Sequence, residues 1–431
     1  MNNDADDVEM AEVAEMAAAA FEAYEAYLLL ESSVGRDGKD VKQPVIRQSW
    51  LDDPGAGLRH LDRILRGQPP RIVNYLRMTG SCFTQLCDEL HDLRHTDNFP
   101  IREKVAIYLQ YVGQGISERK LEEDFQRPRS KVNQTKSLVR DEIIRVLYSK
   151  YVTDLQRAAT SHHLNEKHVQ GRHALSWPLR GAAVPFDGVH FPARVSKEKA
   201  NAYRNRKGFT STNALLACTL DNFITYCFAG AEGTNCDPAV LLNVRDDFFS
   251  TLSIAIDLHG ERVVTCFLAD AIYGLEQRVM TPFRGIRYHL KEWIGLRPQN
   301  AHEVYNLQHA KLRNAIERTI GILKRRFKEL RVASECDIEN HVKNIYACVA
   351  LHNFIKFHKG DIDDDYLEDS DIDEGDDGAD MKEVRDFDDM VAAGANTASL
   401  YQAALAKREG IAQEMWTAYR QARAARGDPI P

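Results

Sequence analysis

Three acidic residues stand where a chain could build a metal centre. Asp187 closes the apolar run Ala183-Val184-Pro185-Phe186 and is followed by Gly188; Asp270 closes a second run, Val263 to Ala269. Glu317 lies in Arg313-Asn314-Ala315-Ile316-Glu317-Arg318, where Leu312, Ile316, Ile320 and Leu323 recur at helical spacing. A carboxylate ending a hydrophobic strand is held at the rim of a sheet, where α/β folds place their sites. Glu317 follows Ile316 directly, which puts it near the edge of a buried stripe. Oxygen ligands converging from two strands and a helix suit hard cations, Mg²⁺ or Mn²⁺. Two such ions about 4 Å apart can activate an attacking oxygen and stabilise the leaving one at phosphorus. Taken singly, each acid is an ordinary surface or capping group, and Asp-Gly also reads as a turn. Their order and context single them out.

The elements that must position them are legible in outline. From Ile72 to Leu93 and from Ile101 to about Tyr151, apolar residues recur at helical spacing, which predicts an all-helical domain over 57–151 behind an N-terminal helix and loop over 1–56. A polar, His-rich connector covers 152–181. From there the pattern changes to short runs rich in Val, Phe, Thr and Tyr at 183–187, 208–219, 222–229 and 262–269. A helix is expected after Asp237, a long one from about Ala301 to Leu330, and another capped by Asp337 with Ile338, Val342, Ile345, Val349 and Phe354 on one face. The fold class is therefore α/β, a mixed sheet flanked by helices over 182–358, preceded by the helical domain. Residues 359–394 are too acidic to bury a core and predict a disordered linker. A last, peripheral helix falls within 395–431.

Composition narrows the setting. No run approaches the roughly 18 to 20 apolar residues that span a bilayer, and Met1–Met16 lacks the order of a secretory signal, so the chain reads as intracellular with no membrane partner. Eight cysteines without a Cys-x-x-Cys pair predict reduced core thiols rather than a zinc or disulfide framework. His162, His163 and His168 form a weak ligand triplet, better read as a solvated helix. Residues 361–390 hold sixteen Asp/Glu against Lys382 and Arg385, a net of −14 within a whole-chain charge of −8, so the rest of the chain carries +6. A basic body with acidic ends fits a partner of high negative charge, although a plain soluble protein with a solvated acidic linker accounts for it equally.

Basic groups cluster near Glu317. Lys311, Arg313, Arg318, Lys324, Arg325, Arg326, Lys328 and Arg331 would neutralise DNA phosphates; the plainer readings are a solvated face or, for Lys324-Arg325-Arg326, a nuclear-import signal. Arg204, Arg206 and Lys207 are second candidates for phosphate contact. In the helical domain a short helix, Ser117 to Phe125, a turn at Gln126-Arg127-Pro128-Arg129 and a longer helix capped by Ser130 predict a helix-turn-helix. With Val132, Thr135, Val139, Ile143 and Val146 facing inward, Lys131, Asn133, Gln134 and Lys136 would be free to meet DNA.

The blocks taken together resemble the PIF/Harbinger transposases. Phe186-Asp187-Gly188-Val189-His190 with Tyr203 to Phe209 is similar to that family's first catalytic block, and Gly233 to Leu241 to its Gly-x-x-x-Asp-Ser-Arg-Val-Leu block. Leu268 to Gly274 with Thr281-Pro282-Phe283-Arg284 is similar to the second aspartate block, Arg313 to Phe327 to the glutamate block, and Ala350-Leu351-His352-Asn353-Phe354 to the closing helix. The resemblance covers 70–357 in one order. It implies a ribonuclease-H-like fold, an Asp-Asp-Glu triad at Asp187, Asp270 and Glu317 with Asp237 as a further metal-ligand candidate, and Mg²⁺ or Mn²⁺ as cofactor. The chain departs from the family at Ala269-Asp270-Ala271-Ile272-Tyr273-Gly274, usually Gly-Asp-Ser-Gly-Tyr-Pro, and at Cys236-Asp237-Pro238-Ala239, usually His-Asp-Ser-Arg.

The function expected is a transposase-derived DNA endonuclease and strand-transfer enzyme of the nucleus, with the cytoplasm open as a second compartment. The rivals are a domesticated, catalytically silent DNA-binding or scaffold protein of the same fold, and an unrelated metal-dependent phosphohydrolase. The resemblance also implies a Myb-like DNA-binding partner, for which helices 9–31 and 395–425 are the candidate surfaces; a homo-oligomer stays open.

Overall fold

The computed structural model describes residues 51, 53, 55–93, 99–153, 184–251, 254–256, 262–264, 266–333, 335–359 and 395–427. The expected helix 9–31, the His162, His163 and His168 triplet, nearly all of the connector and the acidic linker lie outside the described residues.

Six helices come first: α1 (Ala56–Leu65), α2 (Pro69–Leu76), α3 (Gly80–Glu89), α4 (Ile101–Gln114), α5 (Glu118–Phe125) and α6 (Arg129–Ile143). Their ends follow local chemistry. Thr79 and Ser117 cap α3 and α5 by accepting the amides of Cys82 and Lys120, and Gly115 ends α4 in the left-handed conformation. Val105, Ile107, Tyr108, Leu109 and Val112 of α4 are fully buried, so this helix forms the centre of the bundle. The turn before α6 places Pro128, not the expected Ser130, at the capping position. Proline pre-sets the backbone there and needs no donor partner, and the Arg129 amide donates to Glu122 Oε1 at 3.0 Å. Val132, Thr135, Val139 and Ile143 are buried as helical spacing required. Beyond them the chain continues as a π-helix, Ile144–Thr153, which turns Leu147 and Tyr151 inward and leaves Val146 only partly covered.

The sheet follows. Strands β1 (Val184–Pro192), β2 (Ser211–Cys218) and β3 (Ile224–Glu232) form an antiparallel meander; helix α7 (Asp237–Thr251) crosses over; β4 (Ile254–Ile256) and β5 (Arg262–Val264) form a separate hairpin; β6 (Phe267–Leu268) and β7 (Val279–Met280) complete the main sheet in the order β3-β2-β1-β6-β7. Pairs β1–β2 and β2–β3 are antiparallel, β1–β6 and β6–β7 parallel. Two expectations shift. The run 262–269 is two strands in two sheets rather than one. Asp187 also does not end its strand: β1 runs on to Pro192, because Val189 and Phe191 continue the inward alternation. The rim argument survives on the parallel side alone, where β1 pairs with β6 only at Val184–Phe267 and Pro185–Leu268. Asp187 and Asp270 each lie two residues past that last pair, so they leave the parallel edge at the same level.

Three helices finish the fold: α8 (Ala301–Arg326), α9 (Ile338–Phe357) and α10 (Ala395–Ala425). Asn300 caps α8 and Asp337 caps α9. Helix α9 is covered on nearly every side from Asn344 to Ile355, because the helical bundle packs on one flank and the sheet on the other. Asn353 ties both together, donating to the carbonyls of Tyr151 (2.8 Å) and Ile224 (2.7 Å) while accepting the Ile224 amide (2.9 Å). Helix α10 is not peripheral. Its Ala404, Ala412 and Met415 are buried, Arg408 lies over the Phe283 ring and donates to the carbonyls of Thr281 and Pro282, and Glu409 pairs with His302 of α8. Among the described residues, no helix is long and apolar enough to cross a membrane.

Candidate active site

Asp187 from β1, Asp270 from the loop after β6 and Glu317 from α8 all reach one cation, the buried guanidinium of Arg313 on α8. Arg313 Nη2 donates to Asp187 Oδ2 at 2.5 Å and stands 3.9 Å from Asp270 Oδ2; its Nη1 donates to Glu317 Oε1 at 2.5 Å. Arg313 and Glu317 are one helical turn apart, the spacing at which opposite charges meet. Backbone amides orient the two aspartates: Gly188 N donates to Asp187 Oδ1 at 3.0 Å, and Ala271 N to Asp270 Oδ1 at 2.6 Å.

Asp237 joins them from the first residue of α7. Its Oδ1 accepts from Asn213 Nδ2 at 2.8 Å, and its carboxyl lies so close over Gly188 that a Cβ there would fall 2.2 Å from Asp237 Cγ. Glycine after Asp187 is thus required by close approach, not by a turn.

The charges do not balance. Burial and the neighbouring carboxylates of Asp270, Asp237 and Glu317 push the Asp187 carboxyl up to about 8, although Arg313 pulls the other way. Burial opposes the charge on Arg313, yet Asp187, Tyr288, Asp270 and Glu317 hold its pKa well above the ordinary value. Arg313 also hydrogen-bonds the Tyr288 hydroxyl, which contacts His309 Nδ1 at 3.1 Å. His309 Nε2 faces the Met280 carbonyl at 2.9 Å and must donate to it, so Nδ1 is bare and accepts from Tyr288. Burial pulls the His309 pKa down to about 4, which keeps this relay neutral. Polar atoms beside the carboxylates are left over: Asn213 Oδ1, the Tyr273 hydroxyl and Arg313 Nε are buried with no hydrogen-bond partner. A surplus of oxygen anions with unsatisfied polar groups around it fits a hydrated divalent cation.

The expected DNA contacts divide. Arg313 and Arg326 are buried, and Arg326 Nη1 donates to His352 Nδ1 at 3.2 Å, so neither offers a free face. Lys324 donates to the His190 carbonyl and lies over the Phe191 ring; Arg318 Nε donates to Asn222 Oδ1. Arg325 is half-buried, whereas Arg206 and Lys207 are exposed on the β1–β2 connection. In α6, Asn133 and Lys136 are not free: both donate to Glu118 of α5, at 3.0 and 2.6 Å. Lys131 donates to Gln134 on the exposed side. Sequence reasoning missed Asn213, Tyr273, Tyr288 and His309, and did not pair Arg313 with the carboxylates. Only Arg313 carried a usable signal, its helical-turn spacing from Glu317. Of the cysteines, six are buried thiols, Cys336 is half-buried and Cys236 is exposed.

The model of the DDE superfamily endonuclease family matches residues 186–353, and that of a domain of unknown function (DUF8040) matches 55–145. The chain is 27% identical over 187 residues to the protein named "Putative nuclease HARBI1" of Homo sapiens, covering 43% of this chain and 48% of that one. The same figures hold for the Bos taurus protein of that name. The chain thus spans about half the length of the curated relatives it matches. No solved structure matches.

Proposed function

We propose, from the match of residues 186–353 to the DDE superfamily endonuclease model and the likeness to Harbinger-type nucleases, that the chain cuts DNA, and joins the cut strand to a target, at the centre formed by Asp187, Asp270 and Glu317. The observation that carries this reading is the excess of carboxylates around one buried guanidinium. A structural ion pair needs no more than one acid per base.

Asp187, Asp270 and Glu317 would hold the divalent ions, Mg²⁺ or Mn²⁺, with Asp237 adjacent. When bound, these ions supply an activated oxygen nucleophile and stabilise the leaving oxygen at phosphorus. The protein's own groups do the remaining work. Gly188 and Ala271 amides fix the two aspartates, Asn213 fixes Asp237, and the Tyr288–His309–Met280 relay holds Arg313 beside the reacting phosphate. With the ions bound, Arg313 would give up part of its pairing and offer N–H groups to phosphate oxygens. Arg206 and Lys207 would meet the backbone further along the strand, and the α5–α6 pair would dock on the duplex through Lys131 and Gln134. A nuclear location and a Myb-like partner belong to the same reading. Helix α10 is covered along one side by its own chain, and the 9–31 segment, outside the described residues, is the other candidate surface for that partner.

The test is cleavage of DNA carrying the flanking repeats of the chain's own locus, with Mg²⁺ or Mn²⁺, by the full chain. Metal-dependent nicking that disappears in Asp187→Asn and Glu317→Gln supports the proposal. Tight DNA binding without nicking under every metal condition would establish the silent DNA-binding protein instead.

A further inference from the structure

A second ligand cluster lies outside the carboxylate centre. Glu329 comes from the 3₁₀ turn Lys328–Leu330 after α8, Cys336 from the loop that follows, and His341 from the first turn of α9. One ligand atom of each, a carboxylate oxygen, the thiol sulfur and an imidazole nitrogen, lies within 4.8 Å of the others. His341 is 1% exposed, and neither of its ring nitrogens has a hydrogen-bond partner. A neutral imidazole carries one N–H donor and one lone pair, so burying both nitrogens bare leaves two polar groups unmet. Such an orphan in an otherwise well-bonded core calls for an occupant.

We propose that Glu329, Cys336 and His341 bind a zinc ion. The donor set decides the metal. A thiolate with an imidazole selects a borderline-soft cation, and zinc accepts one carboxylate alongside them; Mg²⁺ and Mn²⁺ prefer the all-oxygen set of the carboxylate centre. Three protein ligands leave a fourth position for water, and half-buried Cys336 gives the ion a way in. Glu329 is already oriented, because its Oε1 accepts from the Tyr111 hydroxyl of α4 at 2.7 Å. Partners of this kind fix a ligand's direction and sharpen its affinity. The position gives the ion a mechanical role. It clamps the turn leaving the Glu317 helix to the start of α9 and, through Tyr111, to the helical bundle.

The test is Co²⁺ titration of the full wild-type chain, read by absorption, with zinc content of the isolated protein measured in parallel. One equivalent of Co²⁺ is expected to give an intense near-ultraviolet band from thiolate ligation together with visible bands of a four-coordinate ion, and zinc to displace it. Cys336→Ser, at a half-buried loop position that spares the core, should abolish the thiolate band. His341→Ala should weaken zinc binding by more than about 100-fold, since even loss of an outer partner costs about 10–100-fold. Asp187→Asn and Glu317→Gln should leave the band unchanged. Absence of the band in the wild type overturns the proposal whatever the variants do. So does a band that survives Cys336→Ser, which would place the metal at another cysteine.

Discussion

Half-buried Arg127 and buried Arg313 both face carboxylates, and only one of the two sites is balanced. In the helical bundle, Arg127 of the α5–α6 turn grips Glu103 of α4 with both ends of its fork, Nε to Oε1 at 2.8 Å and Nη2 to Oε2 at 3.1 Å, and stacks on Phe99. Burial raises the Glu103 pKa and Arg127 draws it back. One buried carboxylate meets the Arg127 fork, and the Lys104 charge adds to it. At Arg313 the same fork is spread over Asp187, Asp270 and Glu317, with Asp237 close by, and a carboxyl is left pushed up to about 8. The first arrangement locks a turn. The second holds negative charge that the protein cannot neutralise alone, which is what a cation site requires. Charge balance, more than burial or distance, separates the structural pair from the proposed cation site.

The largest effects should come from breaking the unbalanced side. Alanine at Asp187, Asp270 or Glu317 is expected to lower metal-dependent nicking by about 10³-fold or more, and a double substitution should be little worse than a single one, because groups acting as a unit are not additive. Additive losses measured in the cleavage assay would mean that the three acids do not share one centre. Stability should respond in the opposite sense. Arg127→Ala strands a buried Glu103 and is expected to destabilise the fold by about 3–5 kcal/mol in denaturant titration. Asp187→Asn relieves surplus charge and should stabilise the metal-free chain by about 1 kcal/mol or more. Equal destabilisation by the two variants would erase the distinction drawn here.

Acidity sharpens the same contrast. His309 and His352 are buried and neutral; burial pulls His309 to about 4 and holds His352 well below the ordinary imidazole value. The unfolded chain takes up protons on both below about pH 6.5 while the folded chain does not, so stability should fall as pH drops from about 6.5 towards 4, each contributing up to about 1.4 kcal/mol per pH unit. Asp187 acts with the other sign. Its folded pKa is raised, so the stability tied to its proton is complete below its unfolded value and is lost as pH rises through about 8. Asp187→Asn should therefore steepen the acid limb and remove a loss that runs from the unfolded value of about 4 up to about pH 8 in thermal melts of the metal-free chain. A variant that leaves both limbs unchanged would show that the Asp187 carboxyl is not protonated in the fold.

Much of the scaffold could be read from the chain because it rests on local patterns. The cap at Asp337, the helical stripe of Val132, Thr135, Val139 and Ile143, and the long helix carrying Glu317 all follow from spacing along the sequence. What escaped depends on contacts between distant segments. Nothing near residue 266 shows that 262–264 and 267–268 belong to different sheets, since that depends on which strands lie alongside. Glu118 and Asn133 are fifteen residues apart, yet they meet because the α5–α6 turn folds one helix over the other. Tyr288 and His309 carried no motif; they matter through a relay that exists only once β7 lies beside α8. Arg313 was legible as a charge and illegible as a partner, because its role depends on two aspartates from the sheet.

The smallest expected effects concern DNA docking, and they extend the contrast from buried charge to exposed charge. Arg206 and Lys207 stand on an exposed connection, while Asn133 and Lys136 are committed to Glu118. Removing both exposed charges should weaken binding to every duplex alike and flatten the salt dependence by about two units of slope, since each phosphate contact contributes about 0.9. Asn133→Ala should change sequence preference little, because its amide is spent on Glu118. Gln134→Ala, on the outward side of the same helix, is the substitution that should alter it, by about 1–3 kcal/mol at a single base pair if that face lies in the major groove. Binding measured across a panel of duplexes at several salt concentrations separates these outcomes. A specificity change at Asn133 with none at Gln134 would mean that Glu118 releases its partners on DNA, and the α5–α6 pair would then be a switch rather than a fixed reading head.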